Sequence, residues 1–439
     1  MKRRAITLAV AAALVVGAAA ALLVWSSRAP LEVQAFIVRL SIVTLLLFLI
    51  ILIGRYFTLL WFGYLHHLEA GGADAALRAA REYPPVSLIV PAYNEEKVIG
   101  TAIESLLRLD YPRYEVIVVD DGSADDTLAE ATRYSGEYGG CRVRVTTKKN
   151  GGKASALNAG LAMAQYPIVL CMDADSRLER DTLEAAVAHF IDDPSVGAVA
   201  GNVKVANRGS LWTRLQALEY IEGLNMARRA QGFMGAVNIV PGPVGLFRRD
   251  VVVALGGYDR DTFAEDADLT VKILTAGWKI SYEPRAVAWT EAPERLIDLI
   301  QQRYRWTRGI LQALGKHKRT LLLPLPDVPL WTSLVQMGFE ATAWPAMNVY
   351  GHLFFAYVAI AFGMGEMLLA WWALLTLLDL VAALAAVGME EEQLSLVPFA
   401  LIYRFFFILL IDVVKLCATV EEALNVRMSW GKLERVGGT

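Results

Sequence analysis

Apolar residues along this chain follow two patterns. The first is a set of long, nearly uninterrupted stretches near both ends, at 5–25 and 36–65 and then at 343–363, 367–388 and 396–417. Each is long enough to cross roughly 30 Å of hydrocarbon as a helix. The second, between them, is shorter. V-S-L-I-V runs from Val86 to Val90, a helical pattern follows near 99–109, and β-branched runs recur at Val116 to Val119 and at Ile168 to Met172. Short buried strands alternating with helical patterns predict βαβ units and a parallel sheet. The expected fold is therefore α/β, a Rossmann-like cytosolic domain flanked by transmembrane and amphipathic interfacial helices.

The ends need closer reading. Lys2, Arg3 and Arg4 precede the first stretch, a pattern shared by signal peptides. Its length and the lack of an A-x-A site favour a retained span. Arg39 and Arg55 in the second stretch can snorkel, and Tyr56, Trp61 and Tyr64 suit an interfacial belt. Together the two spans make a hairpin over 1–68 that returns the chain to the cytoplasm. The expected divisions after it are a catalytic domain over 86–295, interfacial helices over 296–340, membrane helices over 341–418 and a tail over 419–439.

Within these divisions, 211–230 reads as a helix that either lies on the membrane surface or covers the sheet. Residues 296–318 form an amphipathic helix whose basic end, Lys316, His317, Lys318 and Arg319, suits anionic headgroups. Pro324, Pro326 and Pro329 interrupt the chain after it. Arg404, Asp412 and Lys415 are expensive in lipid and are expected to face a protein interior or a polar path. An odd number of spans places the tail W-G-K-L-E-R (Trp430 to Arg435) outside, whereas its basic residues point to the cytoplasm, so count and orientation conflict.

Composition narrows the classes. Hydrophobic residues make up 55% of the 439, which indicates a membrane protein. With 42 basic against 45 acidic residues, nothing suggests a nucleic-acid surface. Cys141, Cys171 and Cys417 are scattered without paired or metal-ligand spacing, which fits a reducing cytosolic face.

The candidate chemistry lies at strand ends. Asp120 and Asp121 close one apolar run, and Asp173 and Asp175 follow another. Carboxylates at i and i+2 on extended chain point the same way, so Asp173 and Asp175 can share one hard divalent cation with a diphosphate. For a single pair, turn capping explains such acids equally well. Two such strands in one domain favour a nucleotide-sugar site. N-G-G-K-A-S-A-L-N-A-G (Asn150 to Gly160) is a glycine-rich turn entering a helix, without P-loop spacing, and Lys153 near its start either meets a diphosphate or only caps the helix.

Five motifs in one order, P-A-Y-N-E-E, D-D-G, D-A-D, A-E-D and Q-x-x-R-W, resemble the membrane-embedded family 2 glycosyltransferases. That group holds the cellulose, chitin, hyaluronan and poly-N-acetylglucosamine synthases. The resemblance covers Val86 to Arg319, about half the chain, and implies a GT-A fold. By it, Pro91, Ala92, Tyr93 and Glu95 with Asp120 and Asp121 bind the nucleoside. Asp173 and Asp175 match the D-x-D that holds metal and donor diphosphate. Glu265 and Asp266 match the end of the T-E-D, Asp266 as general base, and Ala264 departs from the family's Thr, which bears on acceptor preference. Gln302 and Trp306 border the acceptor and Arg305 meets the diphosphate. Gly242 with Phe247, Arg248 and Arg249 resembles a G-x-x-x-x-F-R-R segment of the poly-N-acetylglucosamine synthases.

What the resemblance implies follows from these roles. The donor is a UDP-sugar, best matched by UDP-N-acetylglucosamine, with Mg²⁺ or Mn²⁺. Single displacement inverts the anomeric centre and gives a β-linked polysaccharide that crosses the membrane. The acceptor is a growing glycan or a glycolipid, and transfer of one sugar to a lipid is the alternative. Other expected partners are membrane lipids and a small accessory membrane subunit. The expected location is multi-pass in the inner or plasma membrane, with the catalytic domain cytoplasmic.

Overall fold

The computed structural model describes residues 30–71, 82–322 and 328–426. The first expected span, Pro324, Pro326 and the W-G-K-L-E-R tail lie outside these residues. The β-branched runs form strands as expected: β1 (Val86–Ala92), β2 (Tyr114–Asp120) and β5 (Ile168–Cys171) are buried almost throughout. Six more complete one sheet: β3 (Gly136–Tyr138), β4 (Cys141–Thr147), β6 (Ser176–Leu178), β7 (Val196–Val205), β8 (Gly245–Arg248) and β9 (Lys279–Thr290). The order is β3-β4-β2-β1-β5-β8-β7-β9-β6.

Strands β4, β2, β1 and β5 are mutually parallel, in register from Val86 opposite Tyr114 to Ala92 opposite Asp120. The expected parallel sheet becomes mixed beyond them: β8 runs antiparallel to both β5 and β7, β7 and β9 pair parallel, and β3 and β6 pair antiparallel at the edges. A strand buried on both faces reads as the same apolar run in either direction, so periodicity carries no sign of this reversal.

Alternation along the strands sends side chains to two cores. Val86, Leu88 and Val90 face Ile103, Leu106 and Leu183, while Ile89 faces Leu157, Leu269 and Leu334 on the other side. Because β1 is flanked by β2 on one side and β5 on the other, the chain crosses over in opposite directions from it. The carboxyl ends of these strands diverge into a crevice, the place where open α/β sheets take ligands.

Among the described residues, four helices are long and apolar enough to cross a membrane: Leu31–Glu69, Pro329–Phe362, Gly365–Met389 and Leu394–Ala423. The last is not a plain helix. A 3₁₀ turn with Pro398 inside and a π-helical stretch (Tyr403–Ile408) precede its α-helical end (Leu409–Ala423). The irregular turns carry Arg404 inward. Its Nε donates to Asp379 at 2.8 Å and its Nη2 to the Tyr56 hydroxyl at 2.6 Å, while Asn348 donates to Asp412 at 2.6 Å. Intramembrane charge is thus met by protein, as such residues require.

The segment after Ser210 covers the sheet, the second of its two readings, and also packs on a helix of membrane-spanning length. It begins with a capping box between Ser210 and Thr213, runs helical through Leu218, continues as a π-helix (Glu219–Asn225) and ends as Met226–Phe233. Leu215 and Leu218 join the sheet's core, and Ala227 and Ala230 pack against Leu59 of the helix Leu31–Glu69. Its buried Arg229 donates to Glu390 at 2.8 Å, just beyond the helix Gly365–Met389. The basic end of the helix Leu296–Lys316 departs from expectation. Lys316 and His317 pair with Asp259, Asp261 and Asp268 of the protein itself rather than with lipid.

Candidate active site

The carboxyl edge is assembled from loops that hold one another. Asn94 adopts a left-handed backbone (φ 52°), which Asn tolerates better than most residues. Its amide donates to Ser123 Oγ at 2.9 Å, and its Oδ1 accepts from the Ala124 amide at 2.8 Å. Asp120 accepts from Thr147 Oγ1 at 2.6 Å and from the Ser123 amide at 3.2 Å. Asp121 takes Lys148 Nζ at 2.5 Å and the amides of Gly151 and Gly152 at 3.1 and 2.7 Å. The glycine-rich turn therefore directs two of its N–H groups to Asp121. What it offers the crevice is Lys153, the first residue of the helix Lys153–Met163.

Lys153 is the hub of the site. Its ammonium lies 2.6 Å from Asp173 Oδ1 and 3.0 Å from Glu265 Oε1. Burial works against its charge, but Asp173, Glu265 and Asp266 outweigh that and hold the ammonium well above its ordinary value. Asp266, in the first turn of the helix Glu265–Thr275, is pushed up to about 6 by burial and by Glu265, with Lys153 pulling the other way. A carboxylate tuned to that range suits a general base working near neutrality. Asp173, Asp266, Gly242 and Tyr258 line one pocket with Lys153. Its floor is inert: burial pushes the Cys171 thiol up to about 12, and Cys171 sits 3.0 Å from the Tyr258 hydroxyl.

Gly242 has a steric reason to be glycine. A Cβ there would stand 2.9 Å from Lys153 Nζ and 3.1 Å from Asp173 Oδ2. Phe247 and Arg248 lie on β8, where Arg248 donates to the carbonyls of Val196 and Phe190, a role in holding strands rather than ligands. Pro91 and Ala92 end β1, Tyr93 is exposed beside them, and the Glu95 amide donates to Thr127 Oγ1 at 2.7 Å.

Asp175 accepts from Ser176 Oγ at 3.1 Å and Thr290 Oγ1 at 3.4 Å. Its charge also acts on the buried Tyr220 hydroxyl, as does that of Arg303. Tyr220 thus feels charge from both the D-A-D loop and the Q-x-x-R-W helix. On that helix Gln302 is buried, Arg305 and Trp306 are partly buried, and Trp306 lies 6.3 Å from Tyr220. Gly309, one turn on, backs onto the loop before Glu265. A Cβ there would meet Ala264 Cβ at 2.5 Å, so the residue standing where the family has Thr is pressed against this helix.

The donor set fits a hard divalent cation. Asp173 and Asp175 offer carboxylate oxygens, Asp173 and Glu265 share one ammonium, and Asp266, raised first by burial and then by Glu265, adds a further acid nearby. A second acidic group, Asp259, Asp261 and Asp268, is different, because Lys272, Lys316 and His317 already balance it.

Sequence reasoning missed Thr147, Lys148, Glu219, Tyr220 and Arg303. Most sit outside any motif. Arg303 occupies a variable position of Q-x-x-R-W, and only its burial singles it out.

A second, more open pocket lies between the segment 219–226 and the membrane helices. It is lined by Arg55, Glu222, Glu340, Trp344, Arg404 and Lys415, among others.

Comparison with known proteins fits this geometry. Residues 84–309 match the family described as glycosyltransferase like family 2. Over 230 residues the chain is 36% identical to the poly-β-1,6-N-acetyl-D-glucosamine synthase of Staphylococcus aureus, covering 52% of this chain and 55% of that one. The Staphylococcus epidermidis synthase of the same name is 33% identical over 224 residues, covering 51% and 54%. The chain thus spans about half the length of these relatives. A mannosyltransferase from Pyrobaculum calidifontis, solved in complex with GDP-Man and Mn²⁺, aligns with a TM-score of 0.60 at 24% identity, covering 86% of this chain and 98% of that one, which marks a shared fold. By its sequence match over half its length and by its mixed α/β sheet, this chain belongs to the glycosyltransferase like family 2.

Proposed function

We propose that the protein is an inverting, membrane-integrated glycosyltransferase that builds a β-linked polysaccharide from UDP-N-acetylglucosamine and passes it into the membrane. The observation that carries this reading is the cluster of Asp173, Glu265 and Asp266 around Lys153, together with a polar chamber among membrane helices. The sugar and the linkage are those in the names of the staphylococcal relatives.

Asp173 and Asp175 would hold Mg²⁺ or Mn²⁺, which when bound neutralises charge on the donor diphosphate. Asp266 takes the proton of the acceptor hydroxyl as its oxygen attacks the anomeric carbon. The bond from that carbon to the diphosphate breaks on the opposite face, and UDP leaves with the electron pair. Lys153 keeps Asp266 ionised at neutral pH and offers positive charge to the leaving diphosphate, as does Arg305. Attack from one face and departure from the other inverts an α-linked donor to a β-linked product.

The chamber supports passage of a neutral, hydroxyl-rich chain, since its acids and bases approximately balance and Trp344 and Tyr403 add flat apolar faces. On this reading the catalytic domain lies in the cytoplasm, where UDP-sugars are made, with the helices in the cell membrane. The test is a screen of nucleotide sugars for cation-dependent UDP release by detergent-purified protein, with product length read on a gel. Long β-linked chains from UDP-N-acetylglucosamine are expected. A single-sugar glycolipid as sole product would replace polymerisation with lipid glycosylation.

A further inference from the structure

Arg303 lies between Gln302 and Trp306 on the helix Leu296–Lys316, 3% exposed. A guanidinium so buried is costly unless its charge and its donors are all met. Glu219, in the π-helical stretch, meets it as a fork: Nε donates to Oε1 at 3.0 Å and Nη2 to Oε2 at 2.5 Å. Nη1 donates to Gln302 Oε1. The flat face of the guanidinium lies 4.3 Å from the Trp306 ring centroid and 5.8 Å from that of Tyr220. Glu219 also borders the membrane chamber. One side chain thus touches both residues assigned to the acceptor and ties them to the wall between active site and chamber.

The chemistry also fixes which way Gln302 faces. Arginine has donors and no acceptor, so the amide atom turned toward it is the oxygen. The Gln302 NH₂ group is then the one left to donate to a ligand.

We propose that Arg303, clamped by Glu219, is the positioning residue of the acceptor subsite: it sets the plane of the Trp306 indole and turns the Gln302 amide to donate to an oxygen of the acceptor sugar. This rests on the acceptor reading of Gln302 and Trp306 given above. Arg303 itself touches no reacting atom. It acts by holding a stacked sugar where its hydroxyl meets Asp266.

The test uses full-length protein in detergent, UDP-N-acetylglucosamine as donor and a β-1,6-linked N-acetylglucosamine pentamer as acceptor probe. Arg303→Lys keeps the charge and loses the planar fork, and Glu219→Gln removes the clamp with little change of shape. Each is expected to raise the pentamer KM about tenfold while the donor KM stays within about twofold. Combining Arg303→Lys with Trp306→Phe is expected to cost less than the product of the single effects, since both disturb one stacked unit. Donor and acceptor KM rising together, or single effects that multiply, would make Arg303 a structural residue only and overturn the proposal. The premise is tested separately by Trp306→Ala. An unchanged pentamer KM there removes the acceptor reading, whereas a raised one with both Arg303→Lys and Glu219→Gln silent removes the positioning role alone.

Discussion

Replacing Lys153 by Met removes the ammonium that Asp173 and Glu265 share and that holds Asp266 down at about 6. An opposite charge within the roughly 4–6 Å over which neighbours shift a pKa, at an effective dielectric of about 20, is worth about 3–4 kcal/mol, or ~2–3 pKa units, as an upper bound. Water and a bound cation fill part of that gap, so a rise of about one unit is expected. The direction follows from the charge: losing a positive neighbour favours the protonated acid, so Asp266 becomes a competent base only at higher pH. The assay is kcat/KM for sugar transfer from pH 5 to 9 at saturating Mg²⁺. Wild type should lose activity as pH falls through about 6, and Lys153→Met through about 7. Near pH 5.5 the variant's rate, relative to its own plateau, should be down about eightfold against wild type, and near pH 8.5 unchanged. The plateau also drops, because Asp173 loses its partner, but the midpoint is diagnostic. A midpoint that stays put or moves down would refute the electrostatic link between Lys153 and the base.

Other substitutions probe separate parts of the account. Gly242→Ala puts a methyl group 2.9 Å from Lys153 Nζ and 3.1 Å from Asp173, and displacing that pair should cut kcat/KM for the donor about 10²-fold with little loss of thermal stability. Gly309→Ala drives a Cβ to 2.5 Å from Ala264 Cβ, so the Q-x-x-R-W helix must move off the loop carrying Asp266; kcat should fall more than donor affinity, as read by UDP titration. Glu390→Ala strands the buried Arg229, at a cost of about 3–5 kcal/mol, and should lower the unfolding temperature in detergent and loosen the catalytic domain from the membrane helices to proteolysis. EDTA should stop UDP release, and Mg²⁺ or Mn²⁺ should restore it in wild type but not in Asp175→Ala.

The parallel strands were legible because β1, β2 and β5 are short, apolar, largely β-branched runs, and β2 and β5 run into acids that mark the edge. The reversal at β8 was not, since Gly245 to Arg248 offers four residues with no polar alternation to give direction. Asp173 and Glu265 could be named from motif spacing, yet their meeting on Lys153 depends on a crossover that lays the helix after Gly152 against β1 and β2 with its first residue between the two acids. Glu219 and Arg303 lie 84 residues apart and belong to no shared motif. Their pairing arises from packing between the π-helical stretch and the Q-x-x-R-W helix, which no local pattern encodes. The basic end of that helix misled for a related reason. Lys316 and His317 read as a lipid-facing patch until Asp259 and Asp268 are folded against them.

The central claim is that Asp266 is the base of a cation-dependent sugar transfer. Its most direct test compares wild type with Asp266→Asn in detergent, measuring radiolabelled polymer from UDP-N-acetylglucosamine alongside UDP binding by calorimetry. The account predicts that the variant binds UDP with Mg²⁺ as wild type does and forms no polymer across pH 6 to 9. Polymer made at the wild-type rate by Asp266→Asn would contradict it.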